Sequence, residues 1–507
     1  MLICIYLSLN TSIIQFTAAK DDFQFSTYYG GSFDDSYEDP YDLGKMSLEI
    51  DKDDNIIIVG RTRSLDFPVT YTIPGLNRGD TDVFVSKFSP DGNTLLFSTI
   101  LSGSDEDWAT DVTTDLMGNI YIVGTTGSSN FFQNNSEQPT NNGGSRYYDI
   151  FVAKISSQGV IEWCRYFGGN QDDWGYSIGV DSNQNVYITG SSYSNLPALK
   201  SGHSNQGAVD CYLAKFNSTG YVQYSTMLGS TSNDWGGDLE IDGNDDIVIV
   251  GGTQSIVFPT HNAFSTTNQF GMDGVILKYN TTGDIQFATL FGGPGNVWMK
   301  GLALDQSNNL YFTGRSTKGV FTNTGWVTND KSSDSDDVFA AKMTSNGQNL
   351  TYLTVFGGAE DDYGLNIDVD IEGKVGVTGE TWSSDFPVMK PLIEYSDERD
   401  SFLTILDPDG KFISSSTFGG SEDDVCQDVK FDSSNNVVMG GFTESPDFPI
   451  NNPHQNNSTL NGGSDVFIMK LKSSFLNQFP TWWVIGGSIG VVVIVGMIML
   501  LPIKRKR

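Results

Sequence analysis

The chain is short of cysteine, histidine and positive charge. Its four cysteines (Cys4, Cys164, Cys211 and Cys426) show no C-x-x-C pair and no zinc-like spacing, so neither a disulfide framework nor a structural zinc module is implied. The three histidines, His203, His261 and His454, lie far apart and belong to no repeated pattern. No nucleophile–base pair is therefore legible. Lys and Arg number 29 against 62 Asp and Glu, a formal charge of −33 over 507 residues. Such a chain repels phosphates, which argues against nucleic acid as a partner. What is plentiful is glycine, 56 residues, accompanied by many Asn, Ser and Thr, a composition suited to tight turns.

The two ends read as targeting and anchoring segments. Residues 1–19, closing on Thr17-Ala18-Ala19, have the apolar character and small-residue end of a signal peptide. Residues 482–503 carry no charge and are long enough to cross a hydrocarbon core about 30 Å thick. Trp482 and Trp483 stand where an interfacial belt would be, and Lys504-Arg505-Lys506-Arg507 follows directly. The positive-inside rule then places 504–507 in the cytoplasm. Residues 20–475 form an extracellular domain joined to the single membrane span by a linker over 476–481.

Between these ends one phrase recurs. Seven aromatic segments end in Gly-Gly or a relic of it: FSTYYGG from Phe25, FSTILSG from Phe97, WCRYFGG from Trp163, YSTMLGS from Tyr224, FATLFGG from Phe287, YLTVFGG from Tyr352 and SSSTFGG from Ser414. Three further β-like runs follow each one, as in GYSIGVD, NVYITGSS and DCYLAKF. Four strands per unit and seven units describe an all-β, seven-bladed propeller. The first phrase lacks three strands before it, and the last unit stops after its third strand, DVFIMKLK. The N-terminal strand thus completes the last blade and closes the ring, whereas an open solenoid would need caps.

The Gly-Gly segments, the D-x-x-x-N turns such as Asp181 to Asn185, the NVYITG strands and the Asp-Phe-Pro motifs at Asp66, Asp385 and Asp447 resemble the seven-bladed β-propeller repeat (SBBP) family. The resemblance covers roughly 23–472. It implies a surface scaffold or binding role and supplies no catalytic residues.

With strands lettered A to D outward from the axis, the short A–B and C–D turns fall on one face. The D–A loops and the long, variable B–C loops fall on the other, where binding is expected. The D–A loops set acids beside aromatics: Asp107-Trp108, Asp173-Trp174, Asp234-Trp235 and Asp362-Tyr363, with Trp298 and Asp424 at matching positions. Two readings stand. This ring grips a cationic or carbohydrate ligand, or the aromatics pack between blades while the acids accept turn N–H groups. The A–B turns Asp51/Asp53/Asn55, Asp181/Asn183/Asn185 and Asp242/Asn244/Asp246 alternate oxygen ligands as calcium loops do. Yet Ile56, Val186 and Ile247 stand where such a loop needs glycine, so plain Asx turns and no cofactor are expected. Asn134, Asn217, Asn280, Asn349, Asn456 and Asn457 head N-x-S/T glycosylation sequons. The functional expectation is a non-enzymatic, membrane-anchored surface protein binding a protein or glycan. A tethered carbohydrate-active hydrolase or lyase is the alternative.

Overall fold

All seven expected units fold as blades. Among the described residues, twenty-eight strands form seven antiparallel sheets of four. Blades one to six occupy 47–101, 107–167, 173–228, 234–291, 297–356 and 362–418. Blade seven combines 424–471 with the N-terminal strand Phe23–Tyr29. That strand pairs with Asp465–Leu471, Tyr29 opposite Val466 and Phe25 opposite Lys470, and closes the ring. This computed structural model describes residues 22–36, 46–70, 80–131, 147–200, 204–266, 271–317, 320, 335–389, 399–451, 460 and 462–474. All belong to one unit, Met1–Leu476; a second unit, Asn477–Arg507, lies outside the described residues. The leader at 1–19 and the span at 482–503 lie outside them too, and no helix among the described residues is long and apolar enough to cross a membrane.

Strand composition follows position in the blade. The B strands, such as Ile56–Thr62 (IIIVGRT) and Ile247–Thr253 (IVIVGGT), are buried along their whole length. They lie between two strands and between two neighbouring blades, which accounts for their β-branched runs. The outer D strands begin partly exposed and end buried, as in Ile161–Phe167. Seven apolar clusters form, one at each blade junction. Tyr121, Val123 and Phe167 of blades two and three's shared cluster pack with Ile178 and Ile188. Phe25 and Tyr29 pack with Leu48, Ile58 and Phe84 of blade one. The closing strand is therefore held by its ladder and by the next blade's core at once.

The inner strands carry a feature that decides what faces the axis. In blades two to seven the A strand is bulged after its third residue, as between Gly175 and Ser177 or Cys426 and Asp428. A bulge inserts one residue and re-aims those that follow. Past it, Asp111, Ser177, Asp238, Gly301, Asn366 and Asp428 occupy one level around the axis, with Ser47 completing the ring in blade one.

Tyr29 tests the closure. Its ring is buried against Phe67 and Phe88, and its hydroxyl lies 3.0 Å from Ser86 Oγ and donates to Pro68 O at 2.8 Å, all in blade one. Tyr29→Ala is expected to cost about 3–5 kcal/mol by urea denaturation, as for other large aromatic truncations. A chain beginning at residue 32 should lose cooperative unfolding and regain it when a peptide of residues 22–31 is added. Unchanged cooperativity in the shortened chain would show that closure does not hold the ring.

Candidate functional site

The D–A turn is built around two glycines and an aspartate four residues beyond the second-glycine position's start. In blade three, Asp173 Oδ2 accepts the Gly169 N–H at 2.6 Å, and the Ser192 and Ser194 hydroxyls donate to the same carboxylate. The arrangement recurs: Asp107 with Gly103, Thr126 and Ser128; Asp362 with Gly358 and Ser383; Asp424 with Gly420 and Ser445; Asp35 with Gly31 and Ser64. Asp234 does the same with Ser230, Thr253 and Ser255. The hydroxyls come from a T/S-x-S triplet at the end of every B strand but that of blade five. The five acids proposed as ligand contacts, Asp107, Asp173, Asp234, Asp362 and Asp424, are thus fully buried, and their carboxylates hold the turn instead of facing solvent.

A second aspartate meets the first. Every C strand carries a buried aspartate as its first residue, or in blade five its second: Asp82, Asp149, Asp210, Asp273, Asp337, Asp400 and Asp465. A Cβ added at Gly168 would collide with Asp149 Oδ1 and stand 2.9 Å from Asp173 Oδ2, and Gly30, Gly229, Gly357 and Gly419 are flanked by two aspartates in the same way. The next glycine is filled by a serine: a Cβ at Gly169 would be 2.6 Å from Ser194 Cβ. Asp-Phe-Pro completes the junction. Asp385 and Asp447 accept the N–H groups of Ala359 and Ser421, just past the Gly-Gly, and Phe386 and Phe448 lie 4.9 and 4.6 Å from the rings of Phe402 and Phe467. The C-strand aspartates and the T/S-x-S triplets escaped the sequence reading, although each recurs at a constant register.

The aromatics beside these acids lie over their own blades. Trp108 packs on Tyr148 with centroids 5.2 Å apart, Trp174 on Tyr193 at 5.6 Å, and Trp235 covers Gly252. Blades five to seven differ. Arg315 sits 4.6 Å from the Trp298 centroid and 3.8 Å from that of Tyr363, which meets Trp382 at 5.0 Å. Arg399 then stacks on Trp382 at 5.5 Å and bonds Glu380 and Asp423 at 3.2 and 2.9 Å. The result is a cation–π ladder confined to one arc of the face.

The central channel holds the other concentration of charge. Glu49, Asp111, Asp238, Glu240, Asn366, Asp428 and Lys430 line a cavity of about 140 Å3. Its carboxylates tie blades together: Asp428 Oδ2 accepts Leu48 N–H at 2.7 Å, Asp111 Oδ2 accepts Ile178 N–H at 2.9 Å, and Asp238 Oδ2 accepts Leu302 N–H at 2.7 Å. Burial pushes Glu240 up to about 8 and Asp428 to about 7 despite the nearby ammonium of Lys430; burial and Asp111 push Asp238 to about 6. Burial works against charge on Lys430, but Glu49, Asp428, Glu240 and Asp368 outweigh it and keep the ammonium protonated. The cavity is well below the roughly 300 Å3 at which small-molecule pockets begin, so it suits waters or a small cation, not a sugar ring. Among the described residues, no three His, Cys, Asp or Glu side chains are arranged to hold a metal.

The calcium-like turns are Asx turns, two of the three with a salt bridge beneath. Asp51 Oδ1 accepts the N–H groups of Asp53 and Asn55, and Oδ2 accepts Asn55 Nδ2 and Lys87 Nζ, the last at 2.7 Å. Asp242 likewise takes Asn244, Asp246 and Lys278, while Asp181 takes Asn183, Asn185 and the Tyr187 hydroxyl. The leading aspartate of each turn is thus already supplied with donors. Of the sequons, Asn217 and Asn280 close C–D turns through Oδ1 and Asn349 is exposed; Asn134, Asn456 and Asn457 lie outside the described residues. His261 is held in backbone pairing with Ala288, and His203 and His454 lie outside the described residues. Cys164, Cys211 and Cys426 are buried free thiols.

The sequence profile of the SBBP beta-propeller repeat matches residues 96–132, 162–197 and 286–321, each running from a D strand through the Gly-Gly turn into the next blade. The chain carries this repeat. It is 27% identical over 311 residues to the regulatory protein FlaEY of Caulobacter vibrioides, covering 56% of this chain and 31% of that protein. It is 23% identical over 337 residues to an uncharacterized WD repeat-containing protein of Acanthamoeba polyphaga mimivirus, covering 53% of this chain and 24% of that protein. It spans about a third or less of these relatives' lengths. Similar solved structures include a gluconolactonase from Xanthomonas campestris (10% identical, 64% of this chain and 81% of that one, TM-score 0.31). BamB from Moraxella catarrhalis is another (10%, 86% and 98%, TM-score 0.37), as is a mutant NanB sialidase from Streptococcus pneumoniae (8%, 88% and 71%, TM-score 0.38).

The junction geometry makes a sharp forecast. Gly168→Ala should destabilise the chain by about 1–3 kcal/mol in urea, because a methyl group has no room between two carboxylates. Gly376→Ala, whose nearest neighbour would be a Phe431 ring carbon at 3.4 Å, should change the midpoint little. Equal effects at the two sites would contradict the packing described.

Proposed function

We propose that this chain of SBBP repeats is a membrane-anchored surface protein that binds a protein or glycan through its D–A and B–C face and performs no chemistry there. The observation that carries the reading is the division of labour between the two faces. The chain leaves the last strand on the A–B turn side, where Ser473 N–H donates to Asn436 Oδ1 of that blade's turn. The apolar segment 482–503 follows within a few residues. The opposite face carries the variable loops, and on it exposed apolar side chains stand within or just past the T/S-x-S triplets: Tyr193 within one, and Leu65 and Ile256 with Val257 just past others, the last two at 69% and 76% exposure. Apolar tips on a rigid rim are suited to binding.

A tethered hydrolase is the second reading, and the observation in its favour is the pair of channel acids, Glu240 and Asp428, held protonated near neutral pH as a general acid requires. The small size of that cavity weighs against it.

The two readings part in one experiment. The 20–475 fragment is applied to a glycan array and to cell-envelope extract, alongside Ile256→Asp/Val257→Asp and Glu240→Gln variants. A binder is expected to give saturable retention that the loop variant loses by at least tenfold with its Tm unchanged, and that Glu240→Gln leaves intact. Turnover of a bound glycan, abolished by Glu240→Gln, would replace this reading with the enzymatic one.

A further inference from the structure

The aspartate pairs at the blade junctions have a consequence beyond holding turns. The junction of blades three and four shows it most simply. Asp210 and Asp234 are both without solvent exposure, and both press on the position of Gly229. The groups facing them are the N–H groups of Gln206 and Ser230, the hydroxyls of Thr253 and Ser255, and the thiol of Cys211, which burial keeps neutral by pushing it up to about 12. No cation stands among these. Asp210 Oδ1 is buried and accepts no hydrogen bond among the described residues, and two carboxylates this near one another in a dry site disfavour each other's ionisation. The junctions of blades two and three, five and six, six and seven, and seven and one repeat the pair around Gly168, Gly357, Gly419 and Gly30.

We propose that these junctions are proton-binding sites, each holding one shared proton between its two aspartates, so that closing the propeller takes up protons and mild acid tightens the ring. Burial accordingly pushes Asp362 and Asp424 up to about 7, and Asp35, Asp173 and Asp210 up to about 6. The folded chain therefore holds protons that the unfolded chain, with ordinary carboxyl groups near 4, has released. Stability contributed this way grows as the pH falls from 8 through 6. It levels off near 4, where the unfolded carboxyl groups are protonated as well. Below that, carboxylates held low by donors, such as Asp51 and Asp432, protonate and begin to destabilise the fold. The formal charge of −33 is thus more negative than the charge the folded chain carries at neutral pH.

The diagnostic window is pH 6–8. Exposed carboxylates are already ionised there, which leaves the α-amino group and histidine, of which the chain has three, as the other group types that change in this range. Urea denaturation of the full chain in detergent at pH 6 and pH 8, each in 0.15 and 1 M NaCl, reads the effect. The midpoint should be higher at pH 6 and should stay so in high salt, which screens surface repulsion but not a buried pair. Unfolding at pH 7 in weakly buffered urea should release protons. Glu240→Gln removes the share of the channel acid raised furthest, and should leave most of the pH effect. In Asp210→Asn the amide N–H replaces the shared proton, and the pH 6 to pH 8 ratio of unfolding constants should fall by up to about tenfold per pH unit. Should that variant not fold, proton release by the wild-type chain decides alone. A midpoint independent of pH, no proton release, or a divalent cation retained in stoichiometric amount after chelation would overturn the proposal.

Discussion

Six of the seven blade junctions are tied by a carboxylate inserted between two backbone turns; blade five has Val297 in its place. The aspartate that opens an A strand accepts the N–H of the second glycine before it and the hydroxyls of the T/S-x-S triplet after it. That aspartate can reach only if the chain passes close by, and the chain passes close by only where no Cβ intervenes. The glycines of the recurring phrase are therefore a steric requirement of the junction. The aromatic residues before them are its apolar half, since the same D strand that ends in Gly-Gly lays its last side chains into the core shared with the next blade. Because the second aspartate fills the remaining space, the junction is full and polar at one end, full and apolar at the other.

Seven blades in a row must close on themselves or leave one interface bare. Phe23–Tyr29 removes the bare interface by supplying the fourth strand of blade seven, and Gly30, Asp465 and Asp35 reproduce the same junction there. The other face is held differently. Its Asx turns are backed by buried lysines from the C strands, with Lys87–Asp51, Lys278–Asp242 and Lys470–Asp432 separated by 2.7–2.8 Å. Breaking such a pair would strand a buried charge, which costs far more than a surface ion pair contributes. One face thus relies on carboxylates meeting hydroxyls and protons, the other on carboxylates meeting ammonium groups. An acidic chain with few lysines places several of them where a buried aspartate needs a partner.

Much of this was open to a reading of the residues. Periodicity of the GG phrase, the four runs per unit and the spare N-terminal strand led to the closed seven-bladed ring, since strand pattern and turn chemistry are local properties. D-x-x-x-N was readable as an Asx turn for the same reason. The acids of the D–A loops were harder. Asp173 beside Trp174 looks alike in sequence whether its carboxylate faces solvent or a glycine of the preceding turn. The channel was not legible at all: whether Asp238 or its neighbours face the axis depends on a bulge between Gly236 and Asp238, and a one-residue insertion reverses a strand's facing. Nor could the Arg315–Tyr363–Trp382–Arg399 ladder be read, because its members come from different strands and from a loop.

The sequence by itself determined the blade, the number of blades and the way the ring closes, because each rests on interactions between residues near one another along the chain and repeated at a constant period. Only the tertiary structure decided what the acids do. A carboxylate's role depends on what meets it across a junction, and Asp210 and Asp234 are separated by an entire strand and turn before they converge on Gly229. Burial turns that convergence into a site for a proton, since desolvation has no counterpart in an extended chain.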